Sequence, residues 1–210
     1  LLQIADKSMA EQSKILDTVK AKLIQANTDT TSVDGRNAIA KDVSKLLKQL
    51  NNIAVQTNYN GTNLLQGTRS AVAGQSALNF QIGENKADTI STKAIQANTN
   101  GFSLTVLSGN AALATFTKAH ATLGQTAVDK AITTLNGYRG DIGSTQNQVE
   151  SAVRNLMTQS TNIKAAESVI RDVDYAEESA NFNKLNIISQ AGSYAISQSN
   201  ATQQNVLRLL

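Results

Sequence analysis

From Val128 to Ile170 apolar residues return in alternating steps of three and four, and this register constrains the chain more than any other feature. Its positions are Val128, Ile132, Leu135, Arg139, Ile142, Gln146, Val149, Val153, Leu156, Ser160, Ile163, Glu167 and Ile170. The repeat is that of a coiled-coil seam, and it extends for about 64 Å at 1.5 Å per residue. One helix cannot bury such a seam, so the chain must supply partner helices. Gly137, Gly140 and Gly143 weaken the first part, because glycine costs roughly 1 kcal/mol per helical position relative to alanine. The helix is therefore expected to begin properly only near Gly143.

Two earlier segments are the obvious partners. Leu2, Ala5, Met9, Gln12, Leu16, Val19 and Leu23 repeat the same spacing. A polar stretch from Asn27 to Arg36, with Asp34-Gly35 near its end, reads as a loop. A second helix, from about Arg36 to Gln56, has the seam Ile39, Val43, Leu46, Leu50 and Ile53. The two should form an antiparallel pair. Thr57-Asn58-Tyr59-Asn60-Gly61 ends the second helix, and Asn-Gly favours a turn with positive φ.

The character changes between about Gln66 and Gln125. Leu78, Phe80 and Ile82 alternate with Asn79 and Gln81, the period of a half-buried strand. Phe102, Leu104 and Val106 repeat the alternation and are expected to form another strand. The last segment, Arg171 to Leu210, is helical again. Ala180, Leu185, Ile188, Ala191, Ala195 and Ile196 make an apolar stripe, and the chain ends in Val206-Leu207-Arg208-Leu209-Leu210. Its polar face is Ser, Asn and Gln, so the stripe calls for a partner helix. The expected class is mainly α: a long antiparallel helical bundle with a small β-hairpin-containing insertion and a C-terminal amphipathic helix.

Composition narrows the chemistry. The 210 residues include no Cys, Pro or Trp and only 4% aromatics. Without proline the long helices go uninterrupted, and small aliphatic side chains suit helix-on-helix packing. Zero Cys removes disulfides, thiolate metal sites and a Cys nucleophile. The formal charge is +3, with lysines such as Lys14, Lys20, Lys41, Lys45 and Lys48 dispersed along helices as on a solvated face. No basic stripe with interleaved aromatics points to nucleic acid. No run of about 18 apolar residues points to a membrane span. His120, the single histidine, has no companion motif for zinc or a catalytic triad. Asp172, Asp174, Glu177 and Glu178 read as acids opening a helix at its positive end rather than as a metal site. No cofactor and no enzymatic activity are expected.

Several separated motifs resemble bacterial flagellin. The stretch Ala191-Gly192-Ser193-Tyr194-Ala195-Ile196-Ser197-Gln198-Ser199-Asn200, followed by Gln203-Gln204-Asn205-Val206-Leu207-Arg208-Leu209-Leu210, is similar to the family's C-terminus, and Ile170-Arg171-Asp172-Val173-Asp174-Tyr175-Ala176 to its hinge. Gln56-Thr57-Asn58-Tyr59-Asn60-Gly61, Leu64-Leu65 and Phe80-Gln81-Ile82-Gly83 resemble the turn and first hairpin of the shaft domain. Gly143-Ser144-Thr145-Gln146-Asn147-Gln148 resembles the start of the long C-terminal helix. The likeness excludes about Asn85 to Thr126, where the family varies.

The resemblance implies a three-part division: 1–66 with 127–170 as the helical shaft, 67–126 as a β-hairpin region with a short variable insertion, and 171–210 as the innermost terminal helix. It implies a structural subunit of the extracellular flagellar filament, with a hook–filament junction protein as the alternative. An enzyme-bearing insertion is set aside because residues 85–126 are too few and too poor in His and acids. Implied partners are other copies, an export chaperone, and the cap and junction proteins. Self-assembly and chaperone binding would fall on Leu185, Ile188, Ala195, Ile196, Val206, Leu207 and Leu210. The family's export signal and first inner helix are expected to precede Leu1.

The resemblance bears on host recognition too. Members that activate Toll-like receptor 5 carry Leu-Gln-Arg-Val-Arg-Glu-Leu on the first shaft helix. The matching stretch here is Leu16-Asp17-Thr18-Val19-Lys20-Ala21-Lys22. Thr18, Ala21 and Lys22 replace an arginine, a glutamate and a leucine, while Leu16 and Val19 are kept, so weak or absent activation is expected. O-linked sugars on Ser or Thr of 85–126 are a further expectation, preferred over the N-glycosylation patterns at Asn60-Gly61-Thr62 and Asn200-Ala201-Thr202.

Overall fold

A computed structural model describes residues 1–67, 77–171 and 174–209. The elements in chain order are α1 (Leu2–Asn27), α2 (Val33–Gln56), β1 (Asn58–Tyr59), β2 (Thr62–Asn63), β3 (Asn79–Gln81), β4 (Thr89–Ser91), α3 (Thr105–Ala111), α4 (Lys118–Arg171) and α5 (Tyr175–Leu209). The chain divides into two compact units, Leu1–Leu156 and Met157–Leu210. The mainly helical class with small antiparallel strand pairs agrees with the expectation.

In the first unit all seven expected seam residues of α1 are buried, from Leu2 to Leu23, and Ala26 joins them. On α2 the expected Ile39, Val43 and Leu50 are buried, but Leu46 and Ile53 are only partly so; Ala40, Leu47 and Ala54 complete the core face. α2 packs against α1 and also against α3. A helix with two partners turns a broader face inward than a single seam.

The α1–α2 loop is built from caps. The Ser32 hydroxyl accepts from Gly35 N at 3.1 Å, opening α2. Arg36 closes α1 from across the loop: Nε donates to Ala26 O at 3.0 Å and Nη2 to Thr28 O at 3.2 Å. These carbonyls lack helical partners at the end of α1. After α2, Asn60 and Gly61 adopt φ of 51° and 80°, with Tyr59 paired to Thr62. This is the two-residue hairpin turn that Asn-Gly favours.

The strand expected around Leu78–Ile82 is β3, paired antiparallel to β4 with Phe80 opposite Ile90. The strand expected at Phe102, Leu104 and Val106 does not form. Phe102 and Leu104 are buried, but they lie on a turn that leads into α3, and Val106 is exposed on that helix. The backbone there is satisfied locally: Phe102 N donates to Asn98 O at 2.9 Å, Ser103 N to Asn100 O at 3.0 Å and Leu104 N to Thr99 O at 2.8 Å. Local bonding of this kind competes with a sheet ladder. Gly101 is required, because a Cβ there would overlap the Gln96 carbonyl oxygen.

A second correction concerns α4, which starts at Lys118 rather than near Gly143 and runs unbroken for 54 residues. Burial of Ala121, Gly124, Val128, Ala131, Leu135 and Ile142 offsets the roughly 1 kcal/mol that each glycine costs. Ion pairs mark the direction in which α4 runs along α1 and the loop after it. Lys118 meets Asp29 at 2.5 Å, Lys20 meets Asp129 at 2.7 Å and Arg139 meets Asp6 at 2.9 Å. As α4 advances its partner on the first helical segment retreats, so α1 and α4 are antiparallel.

One seam position is polar. Gln12 is fully buried, and its Nε2 donates to Leu50 O at 3.1 Å and Ala97 O at 2.7 Å. Beside it Asn51 Oδ1 accepts from Thr99 N at 2.9 Å, and Asn51 Nδ2 donates to Thr99 Oγ1 at 3.0 Å. Asn98 Nδ2 donates to Gln66 Oε1 at 3.1 Å. These amides fasten the 95–104 segment to the helices.

Candidate assembly surface

Of the expected α4 seam in the first unit, Val128, Leu135 and Ile142 are buried and Ile132, Arg139, Gln146 and Val149 half-buried, with Ala131 and Thr145 completing the buried face; Val153 and Leu156 are exposed. In the second unit the same seam continues through Ile163, 66% exposed, and Ile170, 83% exposed. Large apolar side chains in seam register, left in water, mark an interaction surface.

The second unit carries most of this surface. α5 opens on Asp174, whose Oδ1 accepts from Ala176 N at 3.0 Å and Glu177 N at 3.2 Å. An aspartate at that place caps the helix and complements its positive end. Of the expected assembly residues, Leu185, Ile188, Ala195, Ile196, Val206 and Leu207 are all exposed; Leu210 lies outside the described residues. Four large side chains outside the expected apolar stripe are exposed as well: Tyr175, Phe182, Ile187 and Tyr194, each at least 65% exposed.

Their placement changes the picture of one stripe. At 3.6 residues per turn, Tyr175, Phe182, Leu185, Ile196 and Leu207 share one face. Ile187 and Tyr194, seven residues apart, share another that lies roughly 150° around the helix. An α-helix apolar on two sides is suited to burial between neighbours rather than on a single partner. The seven-residue spacing of Ile187 and Tyr194 was the signal available in the sequence.

The expected host-receptor stretch divides by burial. Leu16 and Val19 are fully buried in the α1 seam. Thr18 is exposed and its hydroxyl donates to Lys14 O at 2.8 Å. Ala21 is exposed. Lys22 Nζ is held 2.9 Å from Asp42 Oδ2. The surface that this stretch presents is therefore Asp17, Thr18, Ala21 and two lysines, Lys20 and Lys22, each engaged with an aspartate of its own chain.

Among the described residues no group of three His, Cys, Asp or Glu could hold a metal ion. No described helix is long and apolar enough to cross a membrane. The His120 ring lies 5.7 Å from that of Phe116, tilted by 53°, and its Nδ1 accepts from Thr117 N at 3.4 Å.

The bacterial flagellin N-terminal helical region matches residues 1–70, and the bacterial flagellin C-terminal helical region matches residues 125–210. The flagellin of Bacillus subtilis is 34% identical over the whole chain, which covers 76% of that protein. This chain belongs to the bacterial flagellin family. Flagellin A of Helicobacter pylori is 34% identical over 93% of the chain, but the chain spans only 41% of it. The crystal structure of Bacillus cereus flagellin superposes with a TM-score of 0.61 at 26% identity, covering 79% of this chain and 89% of that one. The two matched helical regions leave residues 71–124 between them, the stretch that holds β3, β4, α3 and the start of α4.

Proposed function

We propose that the chain is a structural subunit that polymerises into the bacterial flagellar filament and performs no catalysis. One observation carries this reading: the two-sided apolar surface of α5, in a chain with flagellin helices at both ends. The hook–filament junction alternative has no observation in its favour. On this reading 1–66 with 127–170 serve as the shaft, 67–126 as the hairpin region with its insertion, and 171–210 as the inner helix. The protein works outside the cell, as part of the filament.

Before export the same α5 face would lie in the groove of a secretion chaperone, anchored by residues such as Leu185, Ile188, Ile196, Val206 and Leu207 in helix-in-groove fashion. At the filament ends it would meet cap and junction proteins. Toll-like receptor 5 should respond weakly or not at all, since Thr18 and Ala21 provide neither a bidentate cation nor a carboxylate. O-linked sugars would fall on the 85–126 insertion.

Electron microscopy of the full-length protein under polymerising conditions, beside a form truncated after Ile170, tests the central reading. Filaments from the first and none from the second are expected. Absence of filaments from the seeded full-length protein would overturn it.

A further inference from the structure

We propose that a basic groove on α2 is a subunit–subunit contact, and that its occupant is the acidic start of α5 from a second copy. The inference rests on the filament reading above and names one contact within it.

The groove is a cavity of about 700 Å³ between α2 and the residues that follow α3. Lys41, Lys45 and Lys48 line it from α2, with Ser44 between them, Asp34 at the far end and Leu113 on the opposite wall. The three lysines are spaced four and three apart, so they stand on one helix face and span about 10 Å. All three are exposed, and none forms an ion pair among the described residues. Lys20, Lys22, Lys93 and Lys118, by contrast, are each paired to an aspartate. Asp42, on α2 beside Lys45, is bridged by Lys22 and feels the Lys45 charge only as a smaller contribution. Leu113 is exposed as well. The groove thus combines uncommitted positive charge with an aliphatic wall, and its complement is an acidic amphipathic helix.

The chain carries such a helix. Glu177 and Glu178 open α5, both exposed, and neither is ion-paired among the described residues. Asp174 is spent on capping. Phe182, four residues beyond Glu178, offers an exposed ring on the same side. In a homopolymer the second copy is always at hand. A groove on one subunit that receives a ridge on the next is a heterologous contact, which propagates instead of closing. Complementary charge also fixes the register between copies.

Residues 1–210 contain no cysteine, so within them a disulfide trap involves only the introduced thiols. In the full-length protein, Lys45→Cys with Glu178→Cys should give a ladder of covalent oligomers when filaments are oxidised, and neither single variant should. The triple change Lys41→Glu, Lys45→Glu, Lys48→Glu should raise the critical concentration for polymerisation about fivefold. Adding Glu177→Lys and Glu178→Lys to that chain should bring it back toward the parent value. Circular dichroism of the monomers checks folding, and a variant that has lost helix is judged by the cysteine pair instead. Filaments without a ladder, or a folded triple variant that polymerises like its parent, would overturn the contact while leaving the filament reading standing. A parent that forms no filament would overturn both.

Discussion

Lys22 Nζ lies 2.9 Å from Asp42 Oδ2 and ties the outer edge of α1 to α2. The hydrogen bond from Lys22 and its charge hold the Asp42 carboxyl below its usual pKa, and Lys118 does the same for Asp29. The bridged carboxylates are exposed, so each contributes little at neutral pH. The sign is nonetheless fixed. A carboxyl with a lowered folded-state pKa stabilises the fold above its unfolded pKa of about 3.9, and that contribution is lost as pH falls through the folded value. The midpoint of thermal unfolding should hold near neutral pH and decline in acid. The double variant Asp29→Asn, Asp42→Asn should decline less between neutral pH and acid; a parallel decline would show that the two bridges do not contribute.

The three glycines of α4 offer a gain in stability. A Cβ at Gly137, Gly140 or Gly143 would meet nothing within 4 Å, and all three adopt a helix. Replacing each by alanine should stabilise the monomer by about 0.5–1 kcal/mol. Calorimetry showing a lower melting temperature would refute this.

Gly124 should behave oppositely. A Cβ there would lie 2.7 Å from Leu107 Cδ1 and 3.2 Å from Leu23 Cδ1, where α1, α3 and α4 meet. Gly124→Val overfills that contact and should cost about 1–3 kcal/mol, read by urea denaturation. An unchanged midpoint would mean that both leucines rearrange freely.

Gln12 makes a fourth stability test. Truncating it to alanine removes the donor to Leu50 O and Ala97 O and opens a hole in the seam. The expected loss is about 1–3 kcal/mol. Faster amide exchange should appear at Ala97, whose N–H donates to Leu65 O at 2.8 Å. Retained protection there would show that the other amide contacts fasten the segment without Gln12.

Burial also separates the residues of the host-receptor stretch. Leu16→Ala should destabilise the shaft by about 2–5 kcal/mol, because the side chain is fully buried. Thr18→Arg and Ala21→Glu should leave the melting temperature nearly unchanged and strengthen receptor signalling in reporter cells. Full signalling by the unaltered protein would contradict the weak-activation reading.

Helical order was legible in the periodicity of α1. The α1 positions from Leu2 to Leu23 and the turn at Asn60-Gly61 follow from spacing and local backbone preference alone, because both are set by neighbours within a few residues. The same holds for the flagellin likeness, which rests on short ordered motifs. The tertiary structure decided what depends on distant atoms. Leu47 and Ala54 displaced Leu46 and Ile53 because α2 has a second neighbour in α3. Phe102 and Leu104 became a turn because Asn98, Thr99 and Asn100 satisfied its backbone. α4 stayed helical through three glycines because its other face is buried against α1. Which lysines are spent in bridges and which remain free, Lys22 against Lys45, is likewise set only when helices far apart in the chain are brought together.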